Sequence, residues 1–185
     1  EARVTAALES PHTVRLYDYG VNDDGVLYYV MELLEGIDLE SLVQRFGPLD
    51  AERAVHVLVQ ACHSLEEAHR HGLIHRDIKP ANILLAEGHA LIADFGVARA
   101  VAGEGEALTS TGLAVGTPAY MSPEQAELSD WDVDTRTDIY SLGCMLYEMV
   151  TGKRPFTGKS PADTLASILT KPATPPSTKL ASCVL

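Results

Sequence analysis

Apolar and polar positions along the chain switch between an alternating and a helical period, and the switches mark out its elements. Glu1–Leu8 reads as the end of a helix. Val14–Tyr19 and Val26–Glu32 are β-rich runs joined by Asn22-Asp23-Asp24-Gly25, which predicts a hairpin. Asp38–Phe46 has a short helical pattern stopped by Gly47-Pro48. The clearest helix runs from Asp50 to His71, with Ala54, Leu58, Ala61, Leu65 and Ala68 as its apolar stripe. Asp50 is suited to cap its start and Gly72 to end it.

Between Leu73 and Glu124 the pattern breaks. Ile83–Leu85 and Ala90–Ala93 flank Glu87-Gly88 and predict a small hairpin, followed by a loop rich in Gly, Ser and Thr up to Pro123. A long irregular stretch inside a domain points to function. Helical spacing returns over Thr137–Val150 through Ile139, Leu142, Leu146 and Val150, and stops at Gly152. Another helix is expected over Pro161–Leu169, and the Pro- and Ser-rich tail after Lys171 should fray. Strands first and mostly helices afterwards give an α+β arrangement.

Composition narrows this picture in two ways. With 46% apolar and 22% charged residues, the 185-residue chain is expected to fold as one globular domain. Its 14 Lys+Arg against 26 Asp+Glu leave a net charge of -12, which argues against nucleic acid or an anionic membrane as partner. Cys62 and Cys144 lie in apolar helical patterns and are expected to be buried free thiols, which fits a reducing, cytoplasmic setting. Cys183 is third from the end, not at the prenylation position. No apolar run approaches the roughly 18 residues of a membrane-spanning helix.

The polar chemistry sits in the middle. Phosphoryl transfer needs a carboxylate near the acceptor hydroxyl, oxygen ligands for Mg²⁺, and a cation on the transferring oxygens. Asp77, Lys79, Asn82 and Asp94 supply all three within a short stretch. Asp77 and Lys79, two apart on an extended loop, can point into one cleft, while Pro80 keeps the loop out of a helix. Asn82 and Asp94 offer a neutral and an anionic oxygen, which suits a hard cation that keeps some waters.

A lone His-Arg-Asp or Asp-Phe-Gly is commonly only a turn; the joint pattern carries more. His75-Arg76-Asp77-Ile78-Lys79-Pro80-Ala81-Asn82, followed across a hairpin by Asp94-Phe95-Gly96, resembles the signature of the protein kinase family. The resemblance implies a bilobal kinase fold that binds ATP and Mg²⁺. Asp77 would be the catalytic base and Lys79 the cation on the γ-phosphate. Asn82 and Asp94 would hold the metal, Phe95 would pack beneath helix C, and His75 would be structural. Lys79 is the residue that Ser/Thr kinases carry there; tyrosine kinases place Ala and a later Arg. A small-molecule kinase would typically have Gly for Arg76 and lack Lys79-Pro80.

A second block, Gly116-Thr117-Pro118-Ala119-Tyr120-Met121-Ser122-Pro123-Glu124, is similar to the segment of Ser/Thr kinases that receives the peptide substrate. By that likeness Thr117 would bridge Asp77 and Lys79, and Glu124 would pair with a distant Arg. Thr109 and Thr111 lie in the hydroxyl-rich stretch between the blocks and are candidate phosphorylation sites. Arg76 and Arg99 match the basic positions that clamp a phosphorylated activation loop in related kinases. Leu27–Glu32 looks like the strand entering the kinase hinge, with Met31 as gatekeeper. Backbone groups of Glu32 and Leu34 would then meet adenine, Asp38 the ribose, and Leu84 the adenine floor. Asp138 resembles the buried aspartate that anchors the catalytic loop, since an Asp on an apolar helix must be paired.

The resemblance implies a partial kinase domain over 1–170: a remnant of the N-lobe (1–32), then hinge and a mainly helical C-lobe (33–170), with 171–185 a tail. Glu1 aligns with the helix-C glutamate, whose lysine partner and the glycine-rich loop are not in the sequence. The 185 residues alone are therefore expected to be inactive or nearly so. The wording of both motifs is most similar to bacterial members. Protein substrates bearing Ser or Thr are the implied partners, with self-association for autophosphorylation a further implied contact. The rival reading is a non-catalytic pseudokinase scaffold, against which stands the retention of Asp77, Lys79, Asn82 and Asp94.

Overall fold

The structure, a computed structural model, describes residues 2–95, 118–127 and 133–180. A short helix α1 (Ala2–Thr5) precedes an antiparallel hairpin of β1 (Leu16–Val21) and β2 (Leu27–Met31). Asn22 Oδ1 accepts the N–H groups of Asp24 at 3.1 Å and Val26 at 2.8 Å, so one side chain shapes the expected turn. β3 (Ile37–Asp38) then pairs with β4 (Ile83–Ala86), which pairs with β5 (His89–Ile92). In the β4–β5 turn both Glu87 (φ 51°) and Gly88 (φ 82°) are left-handed, as a tight two-residue hairpin turn requires.

The helices follow from their caps. Asp38 accepts from Ser41 N at 2.8 Å to start α2 (Leu39–Phe46), and Asp50 does the same from Arg53 N at 2.9 Å for α3 (Ala51–Arg70). Past Ser122 comes the single turn α4 (Pro123–Ala126), then α5 (Arg136–Thr151), α6 (Pro161–Thr170) and α7 (Ser177–Leu180). The tail is thus not wholly frayed, since α7 lies inside it.

The main core joins α2, α3, α5 and the β4–β5 hairpin, with Leu39, Ala61, Leu65, Ile78, Ile92 and Met145 sealed from solvent. A second group, Ala119, Tyr120, Cys144, Phe156 and Ile168, seats the Pro118–Glu124 segment on α5 and α6. Two expectations are corrected. Cys62 is exposed, because it lies beside the buried Ala61 but on the outer side of α3; of the two, Cys144 is the buried thiol. Ile139 is 55% exposed, because α5 turns Thr137, Asp138 and Ser141 inward instead. Among the described residues no helix is long and apolar enough to cross a membrane.

Candidate active site

The segment after α3 is extended and alternates: Ile78 and Pro80 are buried, whereas Asp77 and Lys79 are partly exposed. That alternation points Asp77 and Lys79 to one side. Lys79 Nζ donates to Asp77 Oδ2 at 2.6 Å. Pro80 opens a 3₁₀ turn over Pro80–Asn82, which brings Asn82 back against Asp77. Asn82 Nδ2 donates to Asp77 O at 2.9 Å and to Asp77 Oδ2 at 3.2 Å. The Asp77 carboxylate is therefore held from two directions, and the side-chain oxygen Oδ1 of Asn82 is the group suited to a hard cation.

Asp94, the other residue expected to offer a hard oxygen, is exposed and at φ 62° on a left-handed backbone. Its neighbours fix it to the loop: Ala93 N donates to Asn82 O at 2.9 Å. His75 Nε2 donates to Ala93 O at 2.9 Å, while its Nδ1 accepts the N–H of Asp77 at 3.2 Å. This pair of contacts fits the neutral imidazole protonated at Nε2. Burial holds the His75 pKa below its ordinary value, outweighing the Ala93 carbonyl and the carboxylates of Asp138, Asp77 and Asp94. Its ring also leans on Phe95, with centroids 4.8 Å apart; Phe95 is buried in the main core, and its carbonyl accepts from Thr5 Oγ1 of α1 at 3.4 Å.

Beneath the loop lies Asp138, fully buried at the start of α5. Its carboxylate accepts from His75 N at 2.9 Å, Arg76 N at 2.8 Å and the His69 ring Nε2 at 2.7 Å. A carboxylate in that position would be costly without such donors. His69 was not anticipated from the sequence; it is one polar residue on α3, and only the long-range pairing reveals its part.

The residues read from the sequence as hinge and adenine contacts lie as follows. Leu34 and Leu84 share one apolar group with Val14 and Ala86, and Asp38 lies opposite Leu84 in the β3–β4 ladder. Burial pushes the Asp38 carboxyl up, but the Ser41 hydroxyl and backbone N–H groups hold it below the usual value. Glu32 N donates to Arg15 O at 3.0 Å, closing the end of β2. Met31 is 40% exposed.

In the second block Ser122 caps α4 in a reciprocal box with Gln125, which the Ser-Pro-Glu-Gln spacing could have signalled. Glu124 accepts from Thr137 Oγ1 at 2.7 Å. The Tyr120 hydroxyl bonds to Glu148, and Arg154 covers its ring at 5.4 Å from the centroid. Burial and Glu148 drive the Tyr120 pKa well above the ordinary range. Glu1, Gly96, Arg99, Thr109, Thr111 and Thr117 lie outside the described residues.

Comparison with known proteins agrees with this geometry. The family described as "Protein kinase domain" matches residues 1–181. The chain is 44% identical over 183 residues to serine/threonine-protein kinase PknB of Mycobacterium tuberculosis, covering 97% of this chain and 29% of that protein. It is 43% identical over 178 residues to PknH of Mycobacterium bovis, covering 96% of this chain and again 29% of the relative. The chain thus spans under a third of these relatives' lengths. Among solved structures, the kinase domain of Mycobacterium tuberculosis PknI (a point mutant) superposes with a TM-score of 0.73 at 27% identity, over 98% of this chain and 62% of that one. With a match across nearly all its residues and the signature loop folded around Asp77, the chain belongs to the protein kinase domain family.

Proposed function

We propose that the protein to which these residues belong phosphorylates Ser or Thr hydroxyls of proteins with ATP and Mg²⁺. The observation that carries this reading is the convergence of Lys79 and Asn82 on Asp77, at 2.6 Å and 2.9 Å. In this reading Asp77 orients the acceptor hydroxyl and takes its proton. Lys79 holds Asp77 in place and would supply the cation on a transferring phosphoryl oxygen. Asn82 and Asp94 would hold Mg²⁺, whose part is to neutralise phosphate charge; their hard oxygen donors fit that ion. Backbone groups of Glu32 and Leu34 would meet adenine, Leu84 would form its floor and Asp38 would reach the ribose.

The finer parts of the reading belong here too. Phosphorylation at Thr109 or Thr111 would order the activation segment through Arg76 and Arg99, with Thr117 bridging Asp77 and Lys79 and Glu124 bracing the loop through a distant Arg. The 185 residues alone would turn over weakly, their support for ATP phosphates being confined to Lys79, Asn82 and Asp94. The test is phosphate transfer from ATP to a generic Ser/Thr peptide, using the residues expressed within their full natural reading frame. Transfer abolished by Asp77→Asn is the expected result; transfer that survives Asp77→Asn would overturn the assignment of the base.

A further inference from the structure

The peptide unit between Arg76 and Asp77 is gripped at both ends. Its N–H donates to His75 Nδ1 at 3.2 Å, and its C=O accepts from Gln125 Nε2 at 2.8 Å. Arg76 stands at φ 66°, a left-handed conformation that an L side chain disfavours, so outside contacts must hold it. Asp138 takes the Arg76 N–H on one side. On the other side, the carbonyl contact comes from a helix 49 positions away.

Gln125 is itself oriented. Its Oε1 accepts the N–H of Ser122 at 3.0 Å, and Ser122 Oγ accepts the N–H of Gln125 at 3.4 Å. The two ends of the side-chain amide are therefore assigned, the oxygen to its own helix cap and the nitrogen to the loop. A glutamate could replace the first contact and not the second. The pairing also has a direction: α4 follows the Pro118–Ser122 segment, so seating that segment and orienting the Arg76–Asp77 peptide share one side chain.

We propose that Gln125 is a positioning residue for Asp77, acting through the Arg76 carbonyl. The proposal rests on the reading of Asp77 as catalytic base. Without the donor, the 76–77 peptide can rotate out of its strained setting and carry the Asp77 Cα–Cβ bond with it. Lys79 and Asn82 would then meet a displaced carboxylate, so the rate of transfer falls while ATP and peptide still bind.

The experiment compares the parent, Gln125→Glu and Gln125→Met, each in the full natural reading frame, by kcat and KM from pH 8 downward. Gln125→Glu keeps the helix cap but offers no donor at pH 8, and kcat should drop about tenfold with KM nearly unchanged. As the pH falls, the introduced carboxyl gains a proton and can donate it to the Arg76 carbonyl, so its deficit relative to the parent should narrow. Gln125→Met should show a similar deficit at every pH. Parental kcat in Gln125→Glu at pH 8, or a deficit that does not narrow, would overturn the positioning role. Should Gln125→Glu fail to fold, a folded Gln125→Met with parental kcat overturns it equally. A parent without Asp77-dependent transfer would overturn the functional reading and this role with it; an active parent with fully active variants would overturn this role alone.

Discussion

Asp138 Oδ1 accepts the backbone N–H of Arg76 at 2.8 Å across 62 positions of sequence, and Arg76 is one of three non-glycine residues with positive φ among those described. A buried anion on one helix therefore stabilises a backbone conformation that the loop would not adopt by itself. The same carboxylate binds His75 N and His69, so helix α5, helix α3 and the loop share one acceptor.

Asp138→Ala removes that acceptor and leaves the N–H groups of His75 and Arg76 buried without it. A loss of roughly 3 kcal/mol in unfolding free energy is expected, as for breaking a buried charged contact. Asp138→Asn, which keeps one oxygen, should lose less. Urea denaturation of the two variants checks the order; equal and small losses would mean that the loop is held by other contacts.

Lys79 contacts Asp77 directly, so its loss should register in rate more than in stability. Both side chains are partly exposed, and the pair itself contributes little to folding. For Lys79→Met, kcat in the peptide assay should fall about a hundredfold or more, the usual cost of one lost transition-state donor. The melting temperature should move by no more than a few degrees. A variant with near-parental kcat would exclude Lys79 from charge stabilisation.

Where local chemistry dictates structure, the sequence was sufficient. Asn22 and Gly25 mark the first hairpin, Glu87-Gly88 the second, and Asp50 starts α3 with its own carboxylate. The signature loop was legible because its residue types are dictated by the chemistry. What stayed hidden depends on partners far away in the chain. Ile139 fits a helical stripe, yet α5 buries Thr137, Asp138 and Ser141, because each is satisfied by a distant group such as Glu124, Arg76 or the Tyr120 carbonyl. β3 has two residues and exists only because β4 pairs with it. His69 and Gln125 belong to the same class: their roles are bonds to a loop that folds elsewhere.

Gly36 lies against strand β4. A Cβ added there would stand 2.3 Å from the Leu85 carbonyl oxygen and 3.2 Å from the Ala86 Cβ. The clash is with backbone of β4, so relief requires separating the segment around Gly36 from that strand. Gly36→Ala should cost about 1–3 kcal/mol, the range for overpacking. On the adenine-binding role proposed above for Leu34 and Leu84, which pack against one apolar group with Ala86, it should also weaken adenine-nucleotide binding. Thermal melting and nucleotide titration of the variant check both effects.

His75 supplies a pH dependence whose sign follows from its burial. Its folded-state pKa is depressed, so on acidification the unfolded chain takes up the proton first, near its ordinary value of 6.5. The folded state binds fewer protons over that interval, and stability falls as the pH drops below about 6.5 towards the depressed folded value. Above that range the group is neutral in both states and contributes no slope. His75→Phe keeps a ring against Phe95 while removing the titration, at the cost of the bonds to Ala93 O and Asp77 N. The variant should be less stable at neutral pH and show a shallower loss between pH 6.5 and 5, by at most about one proton. Urea midpoints measured across that interval decide the point; parallel curves for parent and variant would mean that His75 takes up its proton as readily in the folded state as in the unfolded one.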